Sequence, residues 1–213
     1  MIKNYLLIAL RNIRQNPLYA FINIFSLAIG LTACLVIYLF IRDERSFDAF
    51  HSKAENIYRL DEVQNFPGTN IQKVALSMPG MAPAMLREFP EVADYARFMC
   101  RPKQLVTKGE KRFLLPYIAT VDSTFLEVFD FEVIQGDRFT ALDEPYSIMI
   151  TEKTALKFFD TVDDAMGSSL TFRDKEYKVT GILKEVPENS HMKFDALASL
   201  TTVISERKDF NDQ

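Results

Sequence analysis

The chain has no tryptophan, two cysteines, two histidines and only seven glycines in 213 residues. Each shortage closes off a kind of chemistry. Cys34 sits inside a long apolar run and Cys100 far outside it, so the pair is not a disulfide framework. His51 and His191 stand 140 positions apart with no CxxC beside either, which is not the spacing of a zinc site, and no metal is expected. None of the glycines falls in G-x-x-x-x-G-K or G-x-G-x-x-G, so no nucleotide site and no cofactor is expected. G-x-S-x-G and H-E-x-x-H are also missing. The best superficial catalytic set is Ser190-His191 with Asp195 nearby. Triads are made by geometry rather than by sequence adjacency, so His191 reads as a stabiliser of its Pro-Glu-Asn-Ser loop. The chain is therefore not expected to be an enzyme.

What the sequence does have is Leu18–Ile41, 24 residues without a charge. As a helix it would extend roughly 36 Å, enough to cross a hydrocarbon core of about 30 Å with some tilt. Inside lipid only a helix or a closed barrel satisfies its own backbone, so one membrane-spanning helix is expected over residues 17–41. A cleaved signal peptide would have a shorter apolar region and an A-x-A-like end, and this run ends Tyr-Leu-Phe-Ile. Leu31-Thr32-Ala33-Cys34 resembles a lipoprotein box. Six of the seven residues after Cys34 are strongly apolar, however, which suits an uncleaved helix. Asn23, Ser26, Gly30 and Ala33 lie at i, i+3, i+7 and i+10, a stripe of small and weakly polar residues suited to packing against another membrane helix.

Charge divides at this run. Residues 1–41 carry Lys3, Arg11 and Arg14 and no acid, while residues 42–213 carry 22 basic and 29 acidic residues. The basic head places the N-terminus in the cytoplasm and the body outside it. The acidic body argues against nucleic acid as a partner. Residues 2–15 repeat apolar positions at helical spacing (Ile2, Leu6, Ala9, Leu10, Ile13), so 1–16 reads as an interfacial amphipathic helix against membrane lipid. Asn16-Pro17 then breaks the chain.

Residues 42–213 read as one α+β extracytoplasmic domain of short, mostly antiparallel strands with short helices. The expected strands are 57–63, 71–76, 92–100, 104–107, 112–121, 147–150 and a hairpin of 170–172 with 177–182. A helix is expected over 79–89, with helical character continuing past the membrane run to about His51. Phe113, Leu115, Tyr117 and Ala119 predict one face of a half-buried sheet. Asp122-Ser123 offers a helix cap, and the Phe125, Val128, Phe129, Phe131 cluster reads as core. Thr151 caps a helix through Phe159, and Phe194–Leu200 is a final apolar stretch.

Several segments, in this order, resemble the MacB/FtsX-like ABC transporter permease family. They are Ser46-Phe47-Asp48-Ala49-Phe50-His51 running into Glu55-Asn56-Ile57-Tyr58-Arg59-Leu60, and Phe89-Pro90-Glu91-Val92 with Ala96-Arg97. They continue with Val121-Asp122-Ser123-Thr124-Phe125-Leu126-Glu127-Val128-Phe129, then Tyr177 to Ile182, then Pro187-Glu188-Asn189-Ser190-His191. The resemblance implies the N-terminal part of a permease subunit in a bacterial inner membrane, with a MacB-like periplasmic core domain. It implies that a cytoplasmic ABC ATPase subunit supplies the ATP hydrolysis that moves this domain. A second permease subunit and a periplasmic protein are further implied partners. Family members carry more membrane helices after this domain, so the chain reads as an N-terminal fragment. The alternative is a single-pass membrane-anchored binding or sensor module.

Overall fold

A computed structural model of the chain describes residues 2–68, 70–207 and 209–212. Part of the expected 66–70 turn and of the polar tail lies outside the described residues, as do the side chains of Ile2, Leu6, Ala9 and Leu10 from the expected amphipathic face. The chain forms two compact units, 1–47 and 48–213.

The first unit is two helices, α1 (Ile2–Gln15) and α2 (Pro17–Glu44). They part at Asn16, whose φ of −130° and ψ of 66° are not helical, and α2 begins with proline in its first turn. Proline is preorganised there, and its missing N–H would have had no partner. None of the residues of α2 is buried. Among the described residues α2 is the one helix long and apolar enough to cross a membrane. It stops at Glu44, well short of His51. Ser46 turns its hydroxyl back to the Asp43 carbonyl, at 2.7 Å, and Asp48 takes a left-handed φ of 54°, which an α-helix cannot continue through.

The second unit holds β1 (Glu62–Gln64), β2 (Gln72–Val74), α3 (Met81–Glu88), β3 (Phe98–Lys108), β4 (Lys111–Val121) and α4 (Phe125–Val128). After these come β5 (Val133–Gln135), β6 (Ser147–Thr151), α5 (Glu152–Phe158), β7 (Ser169–Phe172), β8 (Lys175–Leu183), β9 (Ala196–Ser199) and α6 (Thr201–Glu206). β1 and β2 pair by themselves. The other seven strands form one sheet in the order β5-β8-β6-β9-β4-β3-β7. β7 also pairs with β8, so six of these strands close into a ring and β5 hangs from its edge. Most pairings are antiparallel; β4 with β9 and β6 with β8 are parallel. This is the α+β domain of mostly antiparallel strands, behind an apolar N-terminal helix, that the sequence pattern describes.

Alternation along the central strands builds two cores. Ile148 and Ile150 of β6 and Ala196 and Ala198 of β9 join Val106, Ile118, Phe172 and Val179 inside the ring, with Phe158 of α5. Met149 and Leu197 point the other way, into Phe125, Leu126, Phe131, Leu142 and Phe194. The sheet is thus covered on both faces over β6 and β9, not half-buried. The single face expected of β4 splits. Leu115 and Ala119 are buried in different cores, while Phe113 and Tyr117 stay largely exposed. The break falls at Pro116, which has no N–H to give the ladder. Opposite it, Lys103 takes a φ of 52°, and neither residue is paired.

Candidate functional site

The residues that follow α2 in the chain are tied into the domain by side chains far away in sequence. Only three residues separate Glu44 from Asp48. Asp tolerates a left-handed backbone better than most residues. That conformation lets the Asp48 amide donate to the Asn189 carbonyl at 2.9 Å. Its carboxylate then takes three hydrogen bonds. Oδ1 accepts from the Ser190 hydroxyl at 2.8 Å and from the His191 amide at 3.2 Å, and Oδ2 pairs with His191 Nδ1 at 2.8 Å. Ser190 is buried, and its oxygen accepts the Met192 amide. Lys193 braces the same loop by donating to the Pro187 and Glu188 carbonyls. Burial pushes the Asp48 carboxyl upward, but the bonds from His191 and Ser190 outweigh it and hold the group below the usual carboxylate range.

One turn on, a second set of contacts holds the same segment. His51 is buried, and its Nδ1 accepts the Asp130 amide at 3.0 Å. Ser52 donates both its amide and its hydroxyl to Asp130 Oδ2, at 2.6 and 2.7 Å. Those Ser52 bonds hold the Asp130 carboxyl below its ordinary range. Lys53 donates to the Glu127 carbonyl at 2.9 Å. Phe50 packs edge-on against Phe131, and so joins the outer core. The 48–53 segment is therefore fixed by charge-assisted bonds on one side and by aromatic packing on the other.

A second cluster centres on Arg97. Its guanidinium grips Asp122 through Nε at 2.9 Å and Nη2 at 2.6 Å, and its amide donates to the same carboxylate at 2.7 Å. Both side chains are only about a tenth exposed, at 10% and 11%. Nη1 reaches the Pro79 carbonyl and Asn211 Oδ1, and the rings of Tyr95 and Phe210 stack beside the cation. Arg97 thus joins the start of α3, the end of β4 and the 210–212 turn. Asp122 is not the helix cap expected of it: its oxygens are taken by Arg97, and α4 begins at Phe125 with Thr124 in the cap position and no side-chain cap.

The superficial catalytic set dissolves in the fold. Ser190 and His191 both bond to Asp48, and Ser190 gives its proton to that carboxylate rather than to the imidazole. No activated nucleophile results. Asp195 instead accepts the Tyr117 amide at 2.8 Å and lines up β4 against β9. His191 does stabilise its loop, with Asp48 as the partner. Among the described residues no group of three or more His, Cys, Asp or Glu side chains is placed to hold a metal ion. Cys34 and Cys100 are free thiols. Asn23, Ser26, Gly30 and Ala33 are all exposed on α2.

Both halves of each cluster are present in the family-like segments, but nothing in the sequence pairs them. Asp48 and the Ser190-His191 dipeptide lie in separate family-like segments, as do Arg97 and Asp122. The signal available was one acid in one segment and one base or donor in another, Asp48 with Ser190-His191 and Asp122 with Arg97.

No curated protein matches the chain. A domain ascribed to a permease of Porphyromonas gingivalis shares the fold, with a TM-score of 0.60 and 22% identity over 72% of this chain and 64% of that one. The periplasmic region of MacB from Actinobacillus actinomycetemcomitans aligns at 12% identity and TM-score 0.46, over 59% of this chain and 56% of that one. The extracellular domain of the noncanonic ABC-type transporter YknZ from Gram-positive bacteria aligns at 14% and 0.42, over 54% and 58%. In each case the chain spans less than two thirds of the solved chain. The sequence profile of the MacB-like periplasmic core domain matches residues 20–212, and the chain belongs to that family.

Proposed function

We propose that this chain is the N-terminal part of a permease subunit in an ABC-type export or mechanotransmission complex. A separate cytoplasmic ATP-binding subunit hydrolyses ATP, and the 48–213 domain moves in response. The basic head supports a cytoplasmic N-terminus in the bacterial inner membrane, with α2 spanning the bilayer and the acidic body in the periplasm. The small-residue stripe of α2, Asn23 to Ala33, packs against a further membrane helix of the same or a second permease subunit. A periplasmic protein completes the assembly.

The observation that carries this reading is the Asp48 clasp. A membrane anchor needs only a tether. Here the chain leaving α2 is bonded within four residues to the 189–191 loop, and then to Asp130 and Glu127. Displacement of residue 48 would reach the 189–191 loop, and displacement of residues 52 and 53 would reach Asp130 and Glu127, through hydrogen bonds. The test is purification of the full-length protein from native membranes in mild detergent. An ATP-binding subunit carrying G-x-x-x-x-G-K is expected to co-purify, with ATPase activity. A preparation that stays free of any such subunit, from membranes where the gene is normally expressed, would contradict the reading.

A further inference from the structure

His51 is a titratable group enclosed where charge is unwelcome. The side chain is buried, 4% exposed, and its ring centroid lies 4.1 Å from Phe50 and 5.3 Å from both Phe129 and Phe131. Nδ1 accepts the Asp130 amide. The neutral ring therefore carries its proton on Nε2, and among the described residues that atom has no hydrogen-bond partner. A second proton can go only onto Nδ1. It would set two donors face to face and place a charge on a buried ring.

We propose that His51 is an acid-sensitive latch: its protonation expels the ring from the Phe50–Phe129–Phe131 cage and releases the 48–53 segment from Asp130. The geometry couples the two events. The ring accepts the amide of the same residue whose carboxylate holds Ser52, and the His51 amide donates to the Asp48 carbonyl at 3.3 Å. Losing the ring from its cage removes the apolar half of the attachment and strains the polar half.

Four other charged groups surround the latch. Asp48 and Lys53 flank His51 on its own segment. Across from it stands Asp130, with Arg138 beside that carboxylate. The two carboxylates favour the charged imidazole, but burial opposes it more strongly and holds the His51 pKa below its ordinary value. His191 stands beyond Asp48, donating through Nδ1 to its carboxylate, which can only accept.

The sign follows by linkage. A histidine whose folded pKa is depressed contributes fully above its unfolded value of about 6.5 and loses that contribution as pH falls below it. At pH 5 the ratio of open to closed junction rises by up to about thirty-fold over that at pH 8. The latch rests on the coupling role only for its physiological sense. Its test needs neither ATP nor a partner, and so fails or succeeds separately.

The test is NMR on the labelled full chain in detergent micelles between pH 8 and 5. Two signals are followed, the His51 ring and the protection of the Asp130 amide from exchange, corrected for the intrinsic rate. The latch predicts a ring midpoint below 6.5 and a loss of Asp130 protection of ten-fold or more over the same range. His51→Asn, whose amide oxygen can replace Nδ1 as acceptor, is expected to remove the pH dependence, and His191→Gln to leave it. A His51 midpoint at or above 6.5, or Asp130 protection unchanged at pH 5, would overturn the proposal. The wild-type ring titration decides the matter even if His51→Asn does not fold.

Discussion

Arg97 and Asp122 show what a buried ion pair does at the scale of single residues. Desolvating both charges is costly, and the attraction between them recovers that cost only because the geometry is bidentate and the remaining N–H groups are met by Pro79 and Asn211. Removing one partner strands the other. Arg97→Ala or Asp122→Ala alone is expected to cost about 3–5 kcal/mol. Arg97→Ala with Asp122→Ala together is expected to cost less than the two single losses added together. Thermal unfolding of the four proteins in detergent gives the cycle, and additive single losses would remove the pair from the account. Arg97→Lys should not rescue, because an ammonium cannot span both carboxylate oxygens and also reach Pro79. None of this was legible locally. An Asp before Ser-Thr-Phe looks like a cap, and only a fold that brings β3 beside β4 supplies the competitor.

At the scale of elements, the sequence spoke most clearly where structure is decided within a few residues. Thr151 caps α5 as its position suggests, accepting the Thr154 amide at 3.3 Å. The apolar run Ile148-Met149-Ile150 made β6 readable, and all five of its residues are buried; Arg173-Asp174, both at positive φ, turn the β7–β8 hairpin. Elsewhere distant contacts overruled local pattern. The strand expected at 92 begins only at Phe98, because Ala96-Arg97 are committed to the Asp122 cluster. Two expected strands merge into β3, since the Pro102-Lys103 kink is bridged by continued pairing with β4 on both sides. Gly136 is a turn for two reasons: its φ is +93°, and a Cβ there would stand 2.5 Å from the Thr180 carbonyl of β8. Gly136→Ala is expected to destabilise by about 2 kcal/mol or more. Thr151→Ala is expected to cost about 1 kcal/mol. Both are read from the shift in thermal midpoint, and a Gly136→Ala protein as stable as wild type would refute the close approach.

For the whole molecule, composition and order carried the argument further than any motif. One uncharged run separates a basic head from an acidic body, and that alone divides membrane from domain. Four of the five family-like segments, scattered over more than 140 residues, contribute to two clusters in the fold, one at Asp48 and one at Arg97. Both fasten segments that are distant in sequence, which suits the proposed transmission of movement. The central claim is that the Asp48 clasp lies on the path of transmission. It is tested most directly by hydrogen–deuterium exchange on the full-length permease with its ATP-binding subunit in lipid nanodiscs, at pH 7.5, without nucleotide and with ATP trapped by vanadate. Exchange in 48–53 and 189–193 is expected to differ between the two states. In Asp48→Ala, which removes the acceptor of three hydrogen bonds, that difference should no longer extend into the β-sheet core while ATP is still hydrolysed. Exchange in both segments that is identical in the two nucleotide states, with ATP turning over, would contradict the account.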